Sequence, residues 1–118
     1  MKISKWMGPH FRETPRGMVL VATQLAGAPA QFPPVEFLHG DQRPAEVELG
    51  PSGHLYSYTV VHASKDKPPY GLAMVDFEPG VRAFGRLLFD GQPPALGSRV
   101  RVVPFALQDG TPDYAFQE

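Results

Sequence analysis

Residues 54–62 read HLYSYTVVH, and Gly50-Pro51-Ser52-Gly53 breaks the chain just before them. β-Branched and aromatic residues dominate the run, which suits a pleated, half-buried surface. Read with a period of two, it places Tyr56, Tyr58, Val60 and His62 on one face and Leu55, Ser57, Thr59 and Val61 on the other. A long strand is predicted here, and the chain beyond it repeats the pattern. YGLAMVDFE, 70–78, ends at Pro79-Gly80; VRAFGRLLF, 81–89, carries Gly85 in its middle; SRVRVVPFAL, 98–107, has Pro104 near its end; and QDG, 108–110, turns into TPDYAFQE. An isolated Gly in a strand predicts a bulge or a sharp bend, and the Pro suits an edge or a bulge. The long connection DGQPPALG, 90–97, separates the third strand from the fourth. Five strands, a bend in the third and that gap predict an all-β chain with a five-stranded OB-type barrel; an SH3-like barrel is the structural competitor.

Upstream of the barrel, MVLVATQL, 18–25, and AEVEL, 45–49, are predicted strands. Between them lies TQLAGAPAQFPPVEFLHGD, 23–41, two turn-like knuckles joined by Pro33-Pro34. Residues 1–17 show few periodic apolar positions. Trp6, Met7 and Phe11 would share one face of a short helix, but Pro9 falls inside it. This segment is expected to be an arm or a docking element. The predicted organisation is therefore an arm at 1–17, a turn-rich segment at 18–49 and a barrel at 50–118.

The totals narrow the class. At 118 residues and 42% apolar content the chain is long enough for one modest core. Its 14 Pro and 12 Gly are scattered between apolar runs, as in a protein of short strands and turns. A net charge of −1 argues against a protein that coats nucleic acid non-specifically. With no cysteine, no apolar leader at the N-terminus and no long apolar run, the expectation is a cytoplasmic protein with no membrane span.

GHLYSYTVVH, then PPYGLAMVDFEPGVRAFGRL, LGSRVRVV and a terminal YAF together resemble the zinc-ribbon plus OB-fold proteins associated with acyl-CoA enzymes. The resemblance runs in order over roughly residues 17–117. In that family a rubredoxin-like ribbon with C-x-x-C-G, Pro-Pro and C-P-x-C precedes the barrel. Gly27 and Pro33-Pro34 fall in register with it, and the four ligand positions become Thr23, Ala26, Leu38 and Asp41. Structural zinc takes four thiolate or imidazole ligands in a tetrahedron, and one carboxylate does not replace them. The expectation is a ribbon remnant that keeps its shape without zinc. Phe32, Phe37, Leu25 and Leu38 would close a small apolar cluster there, or a partner protein would cover the knuckles.

Few residues suggest chemistry. There is no cysteine, no G-x-S-x-G, no Walker loop and no G-x-G-x-x-G, so no autonomous catalysis is expected. His10, His39, His54 and His62 occur singly, and Asp76 and Glu78 read as solvated carboxylates at a strand end. His62, just before the charged loop ASKDKPP, would cap a ligand pocket or simply bond a loop carbonyl. Lys65 and Lys67 lie in that loop, Arg82 and Arg86 along the third barrel strand, and Arg99 and Arg101 on one face of the fourth. On OB barrels the second and third strands and the first loop are common ligand surfaces. With the resemblance, this implies that Lys65, Lys67, Arg82, Arg86 and His62 contact the phosphate-bearing end of coenzyme A or a partner. The ordinary alternative is a solvated face with ion pairs to Asp76 and Glu78. Tyr56, Tyr58 and Phe84 read as core or interface residues, with base stacking as the alternative.

The resemblance implies a non-catalytic subunit of a thiolase-like or ketosynthase-like complex. Such a complex makes or breaks C–C bonds or transfers acyl groups. The subunit would stabilise its partner and help to shape a CoA-thioester site, with no tightly bound cofactor of its own. Trp6, Phe11, Phe32, Pro33, Pro34 and Phe37 would dock on the partner. Two alternatives stand beside this reading: a single-stranded nucleic-acid binder, against which the net charge weighs, and a stand-alone acyl-CoA binder.

Overall fold

The computed structural model describes residues 2–62 and 64–118 and, among them, contains ten strands and no helix. In chain order the strands are β1 (Ile3–Lys5), β2 (Phe11–Thr14), β3 (Gly17–Gln24), β4 (Phe37–His39), β5 (Ala45–Leu49), β6 (Ser52–Val61), β7 (Tyr70–Phe77), β8 (Val81–Leu88), β9 (Arg99–Ala106) and β10 (Pro112–Gln117). Strands β6 to β10 close a barrel in the order β10-β8-β7-β6-β9, with β10 pairing back onto β9. Among the described residues of the barrel, β8 and β10 pair in parallel and the other pairs are antiparallel. This is the five-stranded Greek-key closure of an OB fold, and it answers the edge-strand problem by leaving the sheet no free side.

Alternation along the strands builds the core. In β7, Gly71, Ala73, Val75 and Phe77 point inward; in β8, Val81, Ala83 and Leu87; in β9, Val100 and Val102. Leu55 and the fully buried Phe116 complete it. Full burial of one such side chain contributes roughly 1.5–3 kcal/mol of hydrophobic stabilisation. Strand β3 is buried along both faces, which explains its nearly unbroken apolar sequence. Met18, Leu20 and Ala22 join the barrel core, and β3 packs on β9.

Two local readings of the sequence are corrected. Gly85 makes no bulge: β7 and β8 keep one register from Gly71↔Leu87 to Phe77↔Val81. A Cβ at Gly85 would lie 2.8 Å from the Tyr114 ring and 2.9 Å from the Phe116 ring, so glycine is there to admit aromatic packing. The bulge sits instead in β6, where the register shifts between Leu55 and Ser57 and leaves Tyr56 as the extra residue. Beyond it Tyr58 opposes Ala73 and Val60 opposes Gly71, so Tyr56 parts from the face shared by Tyr58 and Val60. In the N-terminal segment, where Pro9 speaks against a helix, the chain forms short strands. Lys5 pairs with Phe37 through β1 and β4, and Phe11 pairs with Leu20 through β2 and β3.

The knuckle segment is tied down by the main chain and one hydroxyl. Gly27 and Gly40 adopt the left-handed conformation, with φ of 76° and 59°, which lets each turn reverse without a Cβ clash. Thr23 exchanges two backbone hydrogen bonds with Gln31. Its side-chain oxygen, 1% exposed as part of the residue, accepts the Val35 N–H at 2.8 Å. Phe32 does not cluster with Phe37: it packs edge-on against Tyr114, while Phe37 is 50% exposed.

Candidate functional site

The basic residues expected to form one site fall into separate environments. Arg82, on the outer face of β8, donates from Nε to Asp76 at 2.7 Å. Its guanidinium carbon lies 3.3 Å from the centroid of the Tyr56 ring. Asp76 holds the Arg82 guanidinium above its ordinary pKa through that hydrogen bond. The bulge in β6 is what brings Tyr56 over to this pair. The charge of Arg82 is thus already matched inside the chain, and it does not join Arg86.

Arg86, four positions on, points to a different neighbourhood. Its guanidinium lies 4.2 Å from the Tyr70 ring centroid and 5.0 Å from that of Phe105. Among the described residues no carboxylate pairs with it. Arg86 and Lys67 line one groove of about 790 Å³ with Pro68, Tyr70, Phe89, Phe105 and Leu107. Stacking on two rings fixes the plane of the guanidinium while leaving its N–H groups free to bind a planar or phosphate anion. Of the other residues expected here, His62 and Lys65 are exposed and do not line the groove. Tyr70, Phe89 and Phe105 were missed by sequence reasoning. They come together only when β7, β8 and β9 are arranged around the barrel, although Pro68-Pro69-Tyr70 marked one rim.

A second, more polar cleft of about 500 Å³ lies between the start of β6 and the β7–β8 turn, lined by Ser52, His54, Asp76, Glu78 and Arg99. Among the described residues no group of three or more His, Asp or Glu is placed to hold a metal ion. At the four ribbon positions, Thr23 spends its hydroxyl on Val35, Ala26 and Leu38 carry no donor, and Asp41 is exposed. This donor set does not fit zinc.

The expected docking residues divide as well. Phe11 and Phe32 are half-buried against the barrel, their rings 6.0 and 5.9 Å from the Tyr114 ring, and Pro34 is buried. Through the Tyr114 ring of β10, Phe11 joins β2 to the barrel and Phe32 joins the knuckle segment to it. Pro33 and Phe37 are exposed and Trp6 is half-buried. Tyr114 is the hub of this junction. Its hydroxyl donates to the Phe84 carbonyl at 2.6 Å, and burial pushes its pKa up to about 12.

The family model described as ChsH2, C-terminal OB-fold domain, matches residues 46–104, half of the chain. A solved structure described as "Ltp2-ChsH2(DUF35) aldolase" superposes with a TM-score of 0.67 at 22% identity, over 84% of this chain and 84% of that one. At that identity the likeness speaks for the fold, and it extends beyond the barrel. No curated protein matches.

Proposed function

Because the chain belongs to the family of ChsH2 C-terminal OB-fold domains, we propose that it is an accessory subunit of an acyl-CoA-handling enzyme, of thiolase-like or ketosynthase-like type. It stabilises that partner and helps to shape its CoA-thioester site. The partner supplies the nucleophile and base. The observation that carries this reading is the groove at Arg86: an unmatched, ring-stacked guanidinium beside Lys67, at the mouth of an apolar cleft. A phosphate-bearing nucleotide with an apolar tail has that distribution of charge. Lys65, in the adjoining loop that His62 opens, adds to the positive field. Arg82 is left out, since Asp76 already matches it. The structural neighbour whose description joins Ltp2 to ChsH2 supports an enzyme as the partner. Trp6, Pro33 and Phe37 remain as partner contacts at the knuckle end, and that end holds its shape without zinc. Metal analysis of the purified chain should find well under one zinc per chain.

The test is steady-state kinetics of the reconstituted complex with a CoA thioester. Arg86→Glu should raise KM for the thioester about tenfold or more, as loss of a charge-assisted hydrogen bond does. Arg82→Gln should leave KM within about twofold. Unchanged KM in Arg86→Glu would remove the groove from the site.

A further inference from the structure

The outer face of β6, β7 and β8 carries a surface that the CoA reading does not use. Ser57, Met74 and Phe84 are consecutive cross-strand neighbours, flanked by the row His54, Asp76, Arg82 on one side and the row Thr59, Leu72, Arg86 on the other. Phe84 is 54% exposed and Tyr56 51% exposed, with half-buried Met74 and Leu72 between the outer strands. Sequence reasoning placed these aromatics in a core or an interface, and their exposure leaves the interface. Arg82 lies flat on Tyr56 and is neutralised by Asp76, so the centre of the face is planar and apolar and carries matched charge. Among the described residues, Arg86, at the edge of this face, has no matched carboxylate, and it belongs to the groove.

We propose that this face is the principal docking surface for the enzyme partner, meeting a flat, apolar and uncharged patch of that enzyme and leaving Arg86 at its edge to the groove. This rests on the accessory-subunit reading and adds where the partner sits. Tyr, Phe, Met and Arg are the residue types concentrated at the centres of protein interfaces, where well-packed aromatic anchors carry most of the affinity. The Arg82–Tyr56 stack is held before binding, so little side-chain freedom is lost on association. A neutral centre also argues against a nucleic-acid strand, whose phosphates would run over Asp76.

The experiment measures affinity between the chain and the thiolase-like enzyme of the same organism, with the wild type and with Phe84→Asp and Tyr56→Asp. Leu96→Asp, an equally exposed apolar position in the loop before β9, is the control. The Phe84 and Tyr56 variants should bind about 30-fold or more weakly, with an unchanged thermal midpoint for the isolated chain, and Leu96→Asp should bind within about threefold of wild type. If wild type binds and both face variants bind as well, the docking surface lies elsewhere while the accessory reading stands. If wild type does not bind, both fall. Tight binding of a single-stranded oligonucleotide at about 50 mM salt, lost in Phe84→Asp, would assign the face to nucleic acid instead.

Discussion

Single residues carry much of what distinguishes this chain. Thr23 occupies a position where the resemblance implies a metal-binding thiolate, and it ties Val35 to β3 by one buried hydrogen bond. Thr23→Val would leave the Val35 N–H without its partner and should cost about 1–3 kcal/mol; a denaturant titration, with hydrogen exchange at Val35, would show it. Gly85 is the second such residue. Gly85→Ala drives a methyl into the Tyr114 and Phe116 rings and should destabilise the barrel by about 1–3 kcal/mol. Tyr114 is the third. Its raised pKa, from 10.0 to about 12, means that the folded chain holds the phenol proton more tightly than the unfolded chain does. Below pH 10 this group leaves stability unchanged; as pH rises from 10 to about 12, unfolding releases the proton and stability falls. Ultraviolet titration should show a tyrosine ionisation step near pH 12, and Tyr114→Phe should abolish that step.

At the scale of elements, the barrel was legible from the sequence because its strands alternate cleanly. In β7 every second residue is buried, and the turns at Pro79-Gly80 and QDG fall where they were expected. What was not legible depends on neighbours that are distant in sequence. The role of Gly85 is set by β10, some 30 residues on, and only the parallel pairing of β8 with β10 makes that contact visible. The bulge at Tyr56 carries no glycine to announce it, so a period of two misassigned the faces of β6. The N-terminal segment combines Pro9 with only short apolar spacing, and its strands exist because β3 and β4 offer edges to pair with. The site was half legible. Arg86 and Lys67 were chosen from charge and position, but the rings that orient Arg86 come from β7 and β9. The separation of Arg82 from Arg86 follows from Asp76 lying directly opposite Arg82.

Taken as a whole, the molecule is an OB-type barrel bonded to a knuckle segment through an aromatic seam of Phe11, Phe32, Tyr114 and Phe116. That seam explains how the segment keeps a defined place on the barrel. The surface presents an anion-ready groove and an aromatic face on the same two strands, β7 and β8. This juxtaposition gives the accessory-subunit account its shape, because a partner seated on the face would lie beside the groove. The measurement that tests it most directly is light scattering of the chain co-purified with a thiolase-like enzyme of the same organism, combined with a thioester assay of the eluted peak. The account predicts one complex with a defined ratio of the two chains and an activity well above that of either protein alone. Two separately eluting proteins, with the enzyme fully active by itself, would contradict it.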